Sequence, residues 1–363
     1  MSTASPDIIP ASPIGPEMFG PARRLALLAD GRFNHLNAKT SFGVLRFAPN
    51  PVVAVIDGQH AGQTVHEVTG IDRDTPIVAT AEEAIALGAE VLVIGIAPKG
   101  GILPAAWRQM LVTCLQGGVD VAAGLHTFLG EDPDFRAAAD ANGRRIFDVR
   151  RPPAGIGVAG GKCRHLEGKR IVLCAGTDCC VGKKTTGLAL EAELKRRGVR
   201  AKFVPTGQTG IFCCGWGIAI DRMIADFTAG AMERLVLAAA EEADVILVEG
   251  QGSLLHPGYS GVTLSFIHGT MPSHMVLTVP STPVDIEDEY GLEMPPLTDI
   301  IELHEHIMRH IRPLRTVGIA LNSYTVSEAE ARRQIDRFGR ETGLPVDDVI
   351  RFGAGAMADA LMG

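Results

Sequence analysis

The chain lacks the long apolar run that a membrane span needs. Crossing a bilayer takes about 20 consecutive apolar residues, and no stretch of this sequence reaches that length. The N-terminal segment contains neither the basic region nor the apolar core of a secretory signal, and its Pro and Ser residues predict an extended arm over residues 1–20. We therefore expect a cytoplasmic protein with no membrane partner.

Positive charge is also scarce. The 363 residues include 34 Lys and Arg against 42 Asp and Glu, which gives a formal net charge of −8 at pH 7. Proteins that bind nucleic acid carry an excess of Lys and Arg on the binding face, so this balance argues against a nucleic-acid partner. It leaves room for a local basic site that binds a small acidic molecule.

Metal-binding cysteine pairs are missing as well. None of the seven cysteines belongs to a CxxC pair, and four of them form two adjacent doublets, Cys179 with Cys180 and Cys213 with Cys214. Because adjacent residues rarely reach one tetrahedral ion together, we expect no metal site. An odd number of cysteines in a chain without an export signal predicts reduced thiols.

What the chain does contain is an alternation of strand-like and helical segments, which predicts the α/β class in two domains. We expect a smaller Rossmann-like α/β domain at residues 21–150, with strands at 52–57, 91–96 and 119–123 and helices at 80–88 and 104–116. A Pro- and Gly-rich linker follows at 151–168. Residues 169–363 are expected to form a P-loop NTPase-like parallel sheet covered by helices. Its later strands are predicted at 201–205, 245–249, 275–279, 317–322 and 349–352, and its helices at 186–197, 230–242, 297–309 and 327–342.

The most informative segment is RIVLCAGTDCCVGKKTT at residues 170–186. An apolar strand leads into a loop bounded by Gly176 and Gly182, and two lysines, two threonines and a helical stretch follow. Backbone N–H groups of such a loop and of the helix N-terminus point at one anion, and a lysine adds a full positive charge. The segment predicts a site for the phosphates of a nucleotide or of a cofactor that contains one.

The loop departs from the usual phosphate-binding pattern in two ways. Five residues rather than four separate Gly176 from Gly182, and Lys184 stands where a Ser or Thr normally binds magnesium. Thr185 comes one position later. The sequence therefore favours phosphate binding without favouring nucleotide hydrolysis through a normal metal ligand.

Several polar residues at or beyond predicted strand ends are candidates for chemistry. Glu249 closes the run VILVEG, where a carboxylate faces the phosphate loop and is able to hold magnesium or act as a general base. His256 and His268 lie in glycine-containing loops beyond it. Asp221 begins a helical segment, where it acts either as a general base or only as an acidic residue of the first helical turn. Asn322 closes another strand, where its amide reads a nucleobase edge or satisfies a loop.

The candidate substrate ligands share an ability to hold carboxylates. Three cations of the first domain suit this role, and Arg binds a carboxylate through two hydrogen bonds at once, although each cation alone is more often a solvated surface charge. The glycines at 95–101, after a predicted strand, are able to cradle an anion or form a plain turn, and the segment PTGQTG offers polar donors or forms a plain turn. Three histidines on one predicted helix, at positions 304, 306 and 310, are expected at the surface. The candidate substrate residues are Lys39, Arg46, Lys99, Gly100, Gly101, Gln208 and Thr209.

These motifs support a family resemblance. GTDCCVGKKTT followed by VEGQGS resembles the GTDTxVGKT and VEGAGG signatures of dethiobiotin synthetase and its P-loop relatives. The chain from about residue 29 to its C-terminus is more similar to a two-domain P-loop family of unknown function, one branch of which is D-glutamate N-acetyltransferase. The similarity includes KTSFGVLR, VVAVIDG, the APKGG loop, PTGQTG and IHG at residues 267–269.

The resemblance implies transfer of acetyl from acetyl-CoA to the amino group of an acidic amino acid, above all D-glutamate. Glu249 is then the first candidate base, ahead of Asp221 and His256, and a homo-oligomer is expected because such α/β enzymes commonly form one. Two alternatives stay open: a ligase of the dethiobiotin synthetase type that uses ATP and Mg²⁺, and a non-catalytic nucleotide-sensing protein. The candidate donor-binding residues are Gly176, Thr177, Asp178, Cys179, Cys180, Val181, Gly182, Lys183, Lys184, Thr185 and Thr186, together with Asn322, which is the candidate for the donor's nucleobase.

Overall fold

The computed structural model describes residues 20–35, 37–96, 101–282, 286 and 290–363. Within these ranges the chain forms two sheets of six strands each, and the strands of both sheets pair in parallel. The predicted α/β class is therefore confirmed. Residues 1–19 of the predicted arm lie outside the described residues. None of the described helices is long and apolar enough to cross a membrane.

The first sheet has the strand order β3-β2-β1-β4-β5-β6, which is the order of a doubly wound Rossmann sheet. Its strands are short apolar runs that need helices on both faces. The strands are β1 (Leu25–Leu28), β2 (Val52–Ile56), β3 (Ile77–Val78), β4 (Val91–Ile94), β5 (Asp120–Ala123) and β6 (Ile146–Asp148). The helices are α1 (Lys39–Phe47), α2 (Val65–Thr69), α3 (Ala81–Ala86), α4 (Arg108–Gln116) and α5 (Pro133–Ala141).

Local sequence explains where α3 starts. The side chain of Thr80 accepts a hydrogen bond from the backbone N–H of Glu83, and the carboxylate of Glu83 accepts one from the backbone N–H of Thr80, so α3 begins in a capping box. The predicted strands at 52–57, 91–96 and 119–123 are confirmed with slightly shorter ends. Strand β1, at the centre of the sheet, and helix α1 were not predicted from the sequence.

The second sheet has the order β12-β11-β10-β7-β9-β8, so β7 lies inside it between β9 and β10. Its strands are β7 (Arg170–Gly176), β8 (Ala201–Val204), β9 (Val245–Glu249), β10 (His274–Pro280), β11 (Arg315–Asn322) and β12 (Val346–Asp347). Its helices are α6 (Lys183–Arg196), α7 (Gln208–Cys214), α8 (Ala225–Glu242), α9 (Ser260–Thr270), α10 (Leu297–Met308), α11 (Glu328–Thr342) and α12 (Gly355–Met362).

Three sequence predictions for this half are wrong. Residues 349–352 form a turn rather than a strand, because the carboxylate of Asp348 accepts hydrogen bonds from the backbone N–H groups of Ile350 and Arg351. His268 lies on α9 rather than in a loop. His304 is fully buried rather than exposed, and its Nδ1 donates to the Ile300 carbonyl at 2.7 Å.

The two halves share a packed boundary. Helix α1 of the first half packs against α7 of the second, and Ile211 and Phe212 of α7 belong to the hydrophobic core of the first sheet. The predicted linker is docked on α8, because the carboxylate of Glu233 accepts hydrogen bonds from the backbone of Gly160 at 2.9 Å and Lys162 at 2.6 Å. The two halves are therefore joined by packed helices and a docked linker rather than by a flexible linker alone.

Candidate active site

A cavity of about 1070 Å³ lies at the boundary between the two halves. The first half lines it with residues of α1, and the second half lines it with the loop between β7 and α6 together with the segments that follow β8, β9 and β11. Carboxyl ends of parallel strands form the usual ligand-binding edge of an α/β sheet. The cavity is therefore placed where the second sheet is expected to bind a ligand.

The phosphate loop divides into residues that face the cavity and residues that support them. Residues 179–186 line the cavity. Gly176, Thr177 and Asp178 are not among its lining residues. The hydroxyl of Ser253 donates to the Thr177 carbonyl at 2.7 Å, which ties the loop to the segment after β9. The first turn of α6 begins at the cavity wall. The first turn of any helix leaves backbone N–H groups without partners inside the helix.

Lys183 is held in place by the loop itself. Its side chain is buried, and its Nζ donates to the Asp178 carbonyl at 2.6 Å. Burial lowers the pKa of Lys183, although the neighbouring Cys179, Cys180 and Asp178 act in the opposite direction. The Asp178 carboxylate accepts from the backbone N–H groups of Cys179 at 2.5 Å and of Ile286 at 2.8 Å. Asp178 thus orders the loop, and Lys183 presents a cation beside it.

Glu249 lines the cavity at the end of β9. Its Oε2 accepts hydrogen bonds from the backbone N–H groups of Thr206 at 2.8 Å and Gly207 at 3.1 Å. Burial raises the pKa of Glu249, while the Thr206 N–H and the charge of Lys184 lower it. A Cβ on Gly210 would lie 2.4 Å from Oε2, so only glycine lets α7 approach this carboxylate.

The other two candidate bases are less available than Glu249. Asp221 lines the cavity in a short 3₁₀ helix, but its carboxylate forms an ion pair with Arg150. His256 is buried and is not a lining residue of the cavity, and its Nδ1 accepts from the backbone of Gly258 at 3.1 Å. Its ring packs against Tyr259 and Tyr290. The structure therefore brings only Asp221 into the same cavity as Glu249.

Three further candidates hydrogen-bond other parts of the protein: Asn322 and Thr186, predicted for the donor, and Thr209, predicted with Gln208 for the substrate. Asn322 lines the cavity, but its Nδ2 donates to the Val181 carbonyl at 2.9 Å and so supports the phosphate loop. The hydroxyl of Thr186 accepts from that of Thr278 at 3.2 Å. Thr209 lines the cavity, and its hydroxyl hydrogen-bonds that of Thr40 on α1 at 3.0 Å. Gln208 is buried and also lines the cavity.

The first half contributes cations through α1. Lys39 and Arg46 both line the cavity. They are seven positions apart, which on a helix places them on one face and about 10 Å apart along the axis. Gly101 is not a lining residue; it packs against His126 instead. The predicted ligands Lys99 and Gly100 lie outside the described residues.

Comparisons with known proteins identify the family. Residues 157–358 match the model "Domain of unknown function (DUF1611_C) P-loop domain", and residues 58–152 match "Domain of unknown function (DUF1611_N) Rossmann-like domain". The chain belongs to the DUF1611 family. A crystal structure of a DUF1611 family protein from Anabaena variabilis superposes with a TM-score of 0.87 at 42% identity, covering 94% of this chain and 99% of that one. The family resemblance drawn from the sequence is confirmed.

Two relatives of this DUF1611 chain carry a functional name. A D-glutamate N-acetyltransferase of Tritonibacter scottomollicae is 38% identical over 327 residues, which is 90% of this chain and 94% of the relative. A D-glutamate N-acetyltransferase of a Pseudoalteromonas species is 34% identical over 272 residues, which is 75% of this chain and 81% of the relative. The similarity therefore spans both sheets and the cavity between them.

The cavity of this DUF1611 protein also contains residues that the sequence did not single out. The side chain of Arg150 is largely buried, its Nε donates to the Gly124 carbonyl at 2.7 Å, and burial lowers its pKa to about 10. The ring of His35 lies between those of Phe42 and Tyr324, with centroids 4.5 Å and 5.3 Å away. Arg150 lies two residues beyond the end of β6, so its place near a strand end is the sequence signal that could have indicated it. The aromatic contact joins the two halves and had no sequence signal.

One group of side chains has ligand types that suit a metal ion. A carboxylate oxygen of Asp178, the Sγ of Cys179 and a ring nitrogen of His256 lie within 4.8 Å of one another. The backbone of Gly258 donates to Nδ1 of His256, so the neutral ring carries its proton on Nε2. Neither ring nitrogen then offers a free lone pair. All seven cysteines lie within the described residues, and none of them forms a disulfide there.

Proposed function

We propose that this protein transfers acetyl from acetyl-CoA to the amino group of an acidic amino acid, and that D-glutamate is the acceptor. The observation that carries the proposal is the alignment with two D-glutamate N-acetyltransferases, the first of which covers 90% of the chain. The cavity supplies the groups that this reaction needs: an anion-binding loop, a buried carboxylate and cations on a facing helix.

The donor is held through its phosphates. Coenzyme A carries a diphosphate, and the backbone N–H groups at the start of α6 together with the Lys183 ammonium offer donors and positive charge to it. No phosphoryl group is cleaved in acetyl transfer, so the loop acts as a grip and not as a hydrolytic site. The thioester end of the donor then extends along the cavity toward Glu249.

Glu249 acts as the general base on the acceptor. The amino acid arrives as an ammonium ion, and Glu249 takes one proton so that the free amine attacks the thioester carbonyl. The tetrahedral intermediate collapses as its C–S bond breaks, and the departing coenzyme A thiolate takes up the second proton that the nitrogen loses, which gives the amide and free thiol. A carboxylate suits this role here because its burial brings its pKa nearer to the working pH. Lys39 and Arg46 on α1 bind the acceptor's carboxylates, and alignment of amine and thioester lowers the barrier further.

A thiol-release assay tests this proposal. The protein is incubated with acetyl-CoA and with D- and L-glutamate, D- and L-aspartate and D-alanine, and free thiol and N-acetylated product are both measured. We expect thiol release and N-acetyl-D-glutamate with D-glutamate above all other acceptors. No acetylation of any acidic amino acid would contradict the proposal.

Parallel reactions with ATP and Mg²⁺ separate the alternatives. ADP release that depends on an amine or a carboxylate would favour the ligase. Tight ATP binding without turnover would favour a nucleotide-sensing role.

The expected homo-oligomer is part of the proposal as well. Light scattering on the purified protein measures the molar mass of the assembly.

A further inference from the structure

Lys184 is the cation of the phosphate loop that no described residue neutralises directly. It is the second residue of α6, it is half-buried, and it lines the cavity. Among the described residues it has neither a hydrogen bond nor an ion pair, whereas the adjacent Lys183 donates to the Asp178 carbonyl. A partly buried ammonium without such a partner is unfavourable. The site is therefore suited to an anion that arrives with the ligand.

The surroundings of Lys184 show that room has been made for its ammonium. A Cβ added to Gly43 of α1 would lie 3.1 Å from the Nζ of Lys184 and 2.6 Å from the Cγ2 of Thr209. Only a glycine at position 43 lets α1 pass this closely. The Lys184 charge also reaches Glu249, since it is among the causes that lower the pKa of that carboxylate. Lys184 thus lies between the first half, the phosphate loop and the candidate base.

The helix position of Lys184 is the one that usually binds magnesium. In the common phosphate-binding loop, the hydroxyl directly after the loop lysine is a ligand of the Mg²⁺ that neutralises the phosphates. Thr185 does not replace that hydroxyl, because one step along a helix turns a side chain by about 100°. Thr186 is buried, and its hydroxyl accepts from Thr278. The described residues of α6 therefore place an ammonium where a metal-bound hydroxyl is usual.

We propose that the Lys184 ammonium is the built-in cation of this site, which holds the donor's diphosphate together with Lys183 and so replaces a divalent metal ion. This inference rests on the proposed function, because it takes coenzyme A as the ligand. It assigns Lys184 to donor binding and to the charge balance around Glu249. It also explains why two lysines stand side by side at a helix N-terminus, where they repel each other unless an anion binds.

The first test needs no mutation. Coenzyme A affinity by calorimetry, and acetyl transfer to D-glutamate by thiol release, are measured in excess EDTA and in millimolar Mg²⁺. We expect the same affinity and the same rate in both buffers. Coenzyme A binding that EDTA abolishes and Mg²⁺ restores would overturn the inference.

The second test compares Lys184→Met with Lys184→Arg and with Lys195→Met. Lys195 is a matched control on the same helix, with an exposed side chain paired to Glu191 at 2.7 Å outside the cavity. Loss of one charge-assisted contact predicts coenzyme A binding about 10- to 100-fold weaker in Lys184→Met. We expect Lys184→Arg to keep most of the affinity and Lys195→Met to keep all of it. Thermal melting curves of the three variants check that each is folded.

Two outcomes would overturn the assignment of Lys184. One is unchanged coenzyme A affinity in folded Lys184→Met. The other is an increase in the KM for D-glutamate with no change in coenzyme A affinity, which would place the ammonium on the acceptor's carboxylate instead. Failure of the proposed function is distinguishable, because it appears as no thiol release by the unmutated protein in any buffer while calorimetry still reports the binding of coenzyme A.

Discussion

Glu249, Asp221 and His256 differ in what their surroundings leave them free to do. Glu249 faces the cavity, and its carboxylate accepts hydrogen bonds from two backbone N–H groups. The charges of two nearby lysines lower its pKa. Asp221 faces the same cavity but is paired with Arg150, and His256 is buried away from it. Of the three residues, Glu249 is therefore the one that we propose as the general base.

Replacing each of these residues separately tests that assignment. We expect Glu249→Gln to lower kcat by about 10²- to 10⁴-fold, the usual contribution of a positioned base, with little change in coenzyme A affinity. Asp221→Asn and His256→Asn are controls that remove the other two titrating groups and should keep kcat within about tenfold. Steady-state kinetics at saturating acetyl-CoA gives the comparison. A greater loss in either control than in Glu249→Gln would reassign the base.

The pH dependence of kcat gives a second view of the same residue. A base works only when it is ionised, and burial raises the pKa of Glu249, so the rate should fall on acidification through a pKa above the ordinary value of a carboxyl group. Glu249→Gln should lose this limb of the profile and keep the one that belongs to the substrate ammonium. An unchanged acid limb in Glu249→Gln would show that another group titrates there.

Lys183 is the loop lysine that we propose to hold the donor's phosphates. Lys183→Met keeps the apolar stem of the side chain and removes the charge, so coenzyme A binding should weaken about 10- to 100-fold. Dephospho-coenzyme A should lose as much affinity as coenzyme A, because the loop is assigned to the diphosphate. Calorimetry with both ligands measures this. Unchanged affinity for both in folded Lys183→Met would place the donor elsewhere.

At the scale of elements, the close approach of α1 to the second half depends on one glycine. A Cβ at Gly43 would lie 2.6 Å from Thr209, too close for α1 to stay beside α7, where Thr40 and Thr209 hydrogen-bond. Gly43→Ala should therefore lower both the melting temperature and the acetyl transfer rate, although alanine is the better helix former by about 0.5–1 kcal/mol. Gly339→Ala on α11 is the matched control, since its Cβ meets nothing closer than 3.8 Å.

The two glycine substitutions should change the stability of the protein in opposite directions. Gly339→Ala should raise the free energy of unfolding by about 0.5–1 kcal/mol and leave the transfer rate unchanged. Differential scanning calorimetry and the thiol assay report the two quantities. Full activity in Gly43→Ala would mean that α1 is free to withdraw from the cavity without cost, and that its cations do not bind the substrate.

The same elements show how far sequence reasoning reaches. Strands that are long and uniformly apolar, such as β7 and β9, were predicted within a residue or two, because buried parallel strands need continuous apolar runs. The phosphate loop was found because its glycines and lysines lie in one short segment. The predicted strand at 349–352 failed because the Asp348 carboxylate takes the backbone N–H groups that a strand would use. Local composition does not show such a contact.

The parts that sequence reasoning missed depend on distant segments. Strand β1 is identified by its pairing with β2 and β4 in the structure. Helix α7 begins in a glycine-containing segment that resembles a turn, and its apolar face is explained only by the first sheet. Arg150 and His35 reach the cavity because two halves of the chain meet there. Those neighbours are brought together by tertiary packing.

At the scale of the whole molecule, the two sheets form one structural unit around the cavity. Phe212 is fully buried and belongs to the core of the first sheet, although α7 follows β8 of the second. The ion pair between Arg150 and Asp221 and the Thr40–Thr209 hydrogen bond cross the same boundary. A cavity lined from both sides is open for binding only while this boundary is intact. Unfolding of either half should therefore disrupt the other.

Phe212→Ala tests this coupling, because the chain has two tryptophans and each half contains one. Trp107 is buried in the first half, and Trp216 lies just beyond α7 in the second. Single-tryptophan variants, Trp107→Phe and Trp216→Phe, let fluorescence follow each half through urea unfolding. Removing the Phe212 ring from a packed core should cost about 3–5 kcal/mol. Since that ring joins both halves, the two midpoints should coincide before the substitution and fall together after it. A fall in the Trp107 midpoint alone would mean that the halves unfold independently and that the boundary holds the cavity only loosely.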